Sequence, residues 1–149
     1  MQLEEAIKQT KSFDSHYQRA IVNLIFTTNC VSAEMKDFFK ENQVTTKQYN
    51  ILRILSGAQK PVSIAFIRER LLDKLSDVSR IIDRMAAQGL VIKKTSKTDK
   101  RLVDIILSPT GKERIATIFA KIGQLDDIMK NLNKKELTEL NKLLDKIRA

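Results

Sequence analysis

Apolar residues return at steps of three and four over long parts of this chain, and that spacing predicts mostly helix. Over residues 14–40, Tyr17, Ile21, Leu24, Ile25, Thr28, Val31, Met35, Phe38 and Phe39 form a single stripe, about six helical turns long. A helix of that length carries more apolar face than a small domain covers by itself, which makes it a candidate for packing on a second chain. Thr45 or Thr46 can cap a second helix that turns Tyr49, Ile51, Leu52, Ile54 and Leu55 inward and stops near Ser56-Gly57. Lys60-Pro61-Val62 predicts a short extended piece, because proline bars a continuing helix and favours a sheet edge. Ser63 can cap a short third helix carrying Ile64, Ile67 and Leu71.

A fourth helix is expected from Asp73 or Lys74 to Gly89, with Leu75, Val78, Ile81, Ile82 and Met85 on its buried side. Ser76, Arg80 and Arg84 fall four residues apart on the opposite side, beside Lys74, Asp77, Ser79 and Asp83. The runs LVI (90–92) and LVDIIL (102–107) then read as an antiparallel hairpin, with Val103, Ile105 and Leu107 sharing one face. The connection between them is nine residues, longer than a hairpin needs. Ser108-Pro109 opens a further helix to about Leu132, striped by Ile115, Ile118, Phe119, Ile122, Leu125, Ile128 and Met129. Asn133 with Glu136 forms a capping box for a last helix bearing Leu137, Leu140, Leu143, Leu144 and Ile147.

The expected fold class is therefore mainly α with a small β hairpin, in one domain of 149 residues. The order helix, short strand, helix, helix, strand, long turn, strand is that of a winged helix-turn-helix.

Charge sharpens this picture. The net charge is +9, and residues 60–114 hold thirteen Lys and Arg against seven Asp and Glu. Two thirds of the excess thus lies in about a third of the chain, and a concentrated positive field attracts a polyanion. Four glycines and two prolines argue against a loop-rich or all-β design. No apolar run approaches the ~18 residues that span a bilayer, and MQLEEAIKQTK has no signal-peptide core. A single cysteine forms no internal disulfide, so a reducing, cytoplasmic setting is expected. No phosphate loop, GxSxG or HExxH motif is present and no nucleophile–base pair can be placed, so no enzyme activity and no cofactor are expected.

The winged arrangement suits double-stranded DNA. The major groove admits one α-helix, whose Arg, Ser and Lys reach base edges and phosphates. A basic hairpin beside it reaches the adjacent minor groove, where an inserted arginine senses its electronegative narrow regions.

The run DVSRIIDRMAAQGLVIKKTSKTDKRLVDIILSPTGKERI, residues 77–115, resembles the core of the MarR family of bacterial transcription regulators. The matching parts are VSRIIDRM, QGLV, Asp99-x-Arg101 in the wing and the Leu-Ser-Pro-Thr-Gly of 107–111, with VTTKQYNIL of 44–52 upstream. The resemblance implies a cytoplasmic homodimer held by helices in about residues 1–40 and 108–149. A winged lobe of about residues 45–107 would bind a pseudo-palindromic operator, with recognition helices about 34–36 Å apart. It implies that Lys74, Ser76, Asp77, Ser79 and Arg80 face the major groove and Arg101 the minor groove. Asp99 would hold the wing, with Lys97, Lys100, Arg84 and Lys94 on phosphates. An acid in the first turn also stabilises the helix dipole, so Asp77 stands equally well as a cap. Asp83 reads best as an intrahelical partner of Arg80 or Arg84.

Many members of that family bind phenolic or other aromatic effectors, which makes Phe13, Tyr17, Phe26 and Tyr49 a possible effector pocket; an ordinary aromatic core explains them equally well. One branch senses peroxides through a cysteine near the start of the first long helix. That place corresponds to about Ile21 here, so Cys30 reads as a small buried hydrophobe. His16 has no second histidine and no nearby cysteine, and no metal site is expected. The overall expectation is a ligand-responsive repressor. The alternative is a winged-helix interaction module whose basic face binds an acidic protein partner.

Overall fold

The structure, a computed structural model, describes residues 1–96 and 102–149. Helix α1 (Leu3–Ala6), unmarked by any long apolar pattern, buries Leu3 and ties Glu4 to Arg19 through bonds of 2.6 and 3.1 Å. Helix α2 (His16–Glu41) starts where the Ser15 hydroxyl accepts the Gln18 amide. Only Phe38 and Phe39, at its far end, are buried. Met35 and Val31 are half-buried, Met35 against the core, while Tyr17, Ile21, Leu24 and Ile25 are exposed in this chain. Cys30 is also exposed, contrary to the buried position expected for it, because it stands on a side of α2 that no other part of this chain covers.

Helix α3 (Thr46–Ala58) opens on a complete capping box: Thr45 Oγ1 accepts from the Gln48 amide (3.1 Å), and Gln48 Oε1 accepts from the Thr45 amide (2.9 Å). It lies at the centre of the fold, touching α2, the short helix α4 (Ile64–Arg70), helix α5 (Val78–Ala87), strand β3 (Val103–Leu107) and helix α6 (Pro109–Lys121). Its Ile51 and Leu52 are fully enclosed, and Tyr49 stacks on Phe39 with ring centroids 4.2 Å apart. Ser63 caps α4, as its position before Ile64 predicts.

Strand β1 (Val62–Ser63), β3 and strand β2 (Val91–Thr95) form one antiparallel sheet in the order β1-β3-β2, with Val62 opposite Ile105 and Val91 opposite Leu107. β2 is longer than its apolar run suggests. It takes in Lys93, Lys94 and Thr95, so the polar connection is shorter than nine residues. As an edge strand it buries only Val91, and lysines on an edge strand oppose pairing with a foreign strand.

The helix expected to run from Ser108 to Leu132 does not stay α. After α6, residues Ile122–Met129 continue as a 3₁₀ helix. Gly123 weakens an α-helix there by about 1 kcal/mol. Ile122, Leu125 and Ile128, spaced by three, fall on one edge of a helix with three residues per turn, and all three are half-buried. Helix α7 (Lys134–Arg148) begins on the expected Asn133–Glu136 capping box, but none of its residues is buried.

Gly111 explains one part of the sequence pattern. A Cβ there would meet the Leu90 carbonyl oxygen at 2.0 Å, so only glycine lets the start of α6 press on the chain leading into β2. Ser108 completes this joint: its amide donates to the Leu90 carbonyl (3.2 Å), its hydroxyl donates to the Gly89 carbonyl, and its oxygen accepts the Gly111 amide (2.9 Å).

Candidate nucleic-acid interface

Helix α5 is built as a presented helix. Val78, Ile82 and Met85 are fully enclosed along one side, while Ser79, Arg80, Asp83 and Arg84 are exposed. It begins four or five residues later than expected: Asp77 is the cap, its Oδ1 accepting the Arg80 amide at 3.2 Å. Asp77 therefore acts as a helix cap through its carboxylate. Ser76 and Lys74 precede the helix, so only Arg80 and Arg84 of the expected row stand on it, and Leu75, expected inside, is 97% exposed.

The turn before α5 is organised by one acid. Asp73 pairs with Lys47 of α3 (2.8 Å), accepts the Ser76 hydroxyl (2.7 Å) and accepts the Leu75 amide (3.0 Å). The Lys47 ammonium first, then Ser76 and the Leu75 amide, hold its carboxyl at about 2, below the usual 3.8. Lys74 folds back and donates to the Glu69 carbonyl. The Lys47–Asp73 pair joins the first turn of α3 to the turn between α4 and α5, and no pattern in the sequence pointed to it.

On the side of α5 towards the sheet, Asp83 pairs with Lys93 of β2 at 2.6 Å. This corrects the intrahelical pairing with Arg80 or Arg84: β2 passes close enough for a lysine from outside the helix to take the carboxylate. Lys94 is exposed and stands opposite Asp104 in the ladder. Among the described residues, the rung nearest the wing is the Ser96 amide on the Leu102 carbonyl (2.9 Å). Lys97, Asp99, Lys100 and Arg101 lie outside the described residues.

The four aromatics of the possible effector pocket do not converge. Tyr49 stacks in the core and burial pushes its phenol up. Phe13 lies by the Glu4–Arg19 pair, Tyr17 stands 84% exposed beside α7, and Phe26 is half-buried further along α2. His16 is the exposed first residue of α2. Among the described residues no group of three His, Cys, Asp or Glu side chains is placed to share a metal ion, and no helix is long and apolar enough to cross a membrane.

A helix-turn-helix followed by a β hairpin, with a short strand completing the sheet, defines a winged-helix protein. The model of the MarR family matches residues 42–102. Among solved structures, a MarR transcription factor from Planctomyces limnophilus is 26% identical, with 90% of this chain and 98% of that one covered at a TM-score of 0.68. A mutant MarR from E. coli complexed with operator DNA is 21% identical, covered over 99% of both chains at 0.78. An organohalide-sensing transcriptional regulator in its 2,4-dichlorophenol-bound form is also 21% identical, over 94% of this chain and 86% of that one, at 0.82. No curated protein sequence matches. The resemblance to the MarR family is thus borne out by sequence over the winged segment and by fold over nearly the whole chain, which has the fold of a MarR-family transcription regulator.

Proposed function

We propose that the protein is a homodimeric repressor that binds a pseudo-palindromic operator in the bacterial cytoplasm and releases it on binding a small aromatic effector. The observation that carries the DNA reading is α5: a helix with one face fully enclosed and Arg80 and Arg84 on the other, in a chain sharing the fold of a regulator solved on operator DNA. Arg80, Ser79, Ser76 and Lys74 face the major groove, with Asp77 holding the first turn. Lys94, Lys97, Lys100 and Arg84 meet phosphates, Arg101 enters the minor groove and Asp99 shapes the wing.

The unpartnered faces of α2 and α7 support the dimer. Tyr17, Ile21 and Leu24 on α2 and Leu143 and Ile147 on α7 are 42–84% exposed, and they border one apolar groove. Exposed apolar area of this kind, gathered on terminal helices, favours burial against a second copy. Residues of about 1–40 and 108–149 then form the dimer body, and about 45–107 the DNA-binding lobe. The 2,4-dichlorophenol on a structural relative supports the aromatic class of effector for this chain.

Selection of DNA by the purified protein from a random pool, followed by mobility shift at two salt concentrations, tests the reading. A recovered inverted repeat, bound far more tightly than random duplex, is the expected result. No preference over random duplex at moderate salt would remove the regulator reading in favour of a protein-binding module.

A further inference from the structure

We infer that DNA is also gripped on the side of α5 away from the wing, by a cationic cleft in which Lys36 and Lys40 at the end of α2 hold the backbone of one strand. The inference rests on the DNA-binding reading above and adds the second wall of the groove to it.

The wing side of α5 is marked by Asp83, whose Lys93 partner belongs to β2. On the other side, Ile81, Arg84 and Gln88 follow one another at steps of three and four. That row faces the start of α3, to which it is fastened by the 2.6 Å bond from Gln48 Nε2 to Gln88 Oε1. Between the row, the α3 start and the end of α2 lies an open cleft, bordered by Lys36, Lys40, Lys47 and Arg84, with Val44 and Ile81 as apolar lining. All four of these basic residues are exposed. Lys47 is engaged with Asp73. Among the described residues no carboxylate lies within ion-pair distance of Lys36, Lys40 or Arg84. Lys36 and Lys40 are one helical turn apart, so their ammonium groups share a stripe; Asp37 and Glu41 stand on the next stripe round.

The major groove is about 12 Å wide and a helix with its side chains about 10–12 Å across. A helix seated in that groove therefore has a phosphate strand on each flank. The wing with Lys94 meets one strand. The other passes the Ile81–Arg84–Gln88 side, where the unpaired ammonium groups of the cleft stand. Phosphate contact neutralises each of them and releases counterions, at no cost of breaking an existing ion pair.

The test uses the full chain with Lys36→Gln and Lys40→Gln together, on the duplex recovered by selection and on random duplex of equal length. Lys11→Gln with Lys130→Gln is the control for an equal loss of charge elsewhere. The expected result is a salt slope, log affinity against log salt, shallower by about four in the cleft variant, about two for each protomer of the dimer. Both duplexes should weaken by the same factor, the control should keep the wild-type slope, and mass and circular dichroism should not change. An unchanged slope in the cleft variant overturns the inference while leaving DNA binding by α5 intact. An equal fall in the control shows general charge attraction and overturns it too. Failure of the wild type to bind either duplex removes the underlying DNA reading instead, and is seen before any variant is compared.

Discussion

Lys47 Nζ and Asp73 Oδ2 lie 2.8 Å apart, joining the first turn of α3 to the turn that delivers the chain into α5. The acid also accepts the Ser76 hydroxyl and the Leu75 amide, so a single carboxylate sets the approach to the presented helix.

The Asp73 carboxyl is therefore expected to titrate near 2 in a carbon-detected NMR titration. Its folded value is depressed below the unfolded 3.8, so the stabilisation is present above about 3.8 and is lost as pH falls through about 2. Lys47→Gln should move the midpoint back towards 3.8. A wild-type midpoint already at 3.8 would refute the pairing.

Gly111→Ala should destabilise the fold by about 2–4 kcal/mol, because the added Cβ lands on the backbone of Leu90 and no flexible side chain can yield. Urea denaturation followed by circular dichroism measures it. A neutral result would mean that α6 moves away from the β2 approach at no cost.

Two aliphatic residues close together in sequence should behave in opposite ways. Ile82→Ala removes a fully enclosed side chain and should cost about 2–5 kcal/mol. Leu75→Ala, at 97% exposure in the turn before α5, should stay within about 0.5 kcal/mol. Equal losses at the two sites in thermal unfolding would place Leu75 back inside.

On the proposed operator, Arg80→Ala and Arg101→Ala should each weaken binding by about 1–3 kcal/mol, with dimer mass and helical signal unchanged. The first should also relax sequence preference in the selected half-site. Wild-type affinity in both variants, measured by fluorescence anisotropy, would leave these arginines as ordinary surface charge.

Placing a charge in the α2–α7 groove tests the dimer separately. Ile21→Asp, at a position 60% exposed in the single chain, should leave the fold intact and convert the protein to monomers in sedimentation. A species at twice the 17.1 kDa chain mass for the variant as for wild type would move the interface elsewhere.

The sequence by itself determined most of the helices and caps and the hairpin, but not α1, the start of α5 or the 3₁₀ segment after α6. Those features are local: Ser15, Thr45, Ser63, Ser108 and Asn133 each bond to an amide two or three residues on, and the periods of the apolar stripes are properties of one element at a time. The motif residues 107–111 were legible in the same way, although the reason for their glycine, the Leu90 carbonyl at 2.0 Å, was not. Tertiary structure alone decided which basic residues are committed and which are available. Lys47 meets Asp73, 26 positions on, and Lys93 takes Asp83 from the helix, because the packing of α3 and β2 against α5 brings those chains side by side. It also favoured an α5 that starts at Val78, since Asp73, held by Lys47 of α3, ties the Leu75 amide and the Ser76 hydroxyl into the turn before it. Lys36 and Lys40 carried no signal of their own; they became part of a cleft only when the end of α2 was folded beside α3 and α5.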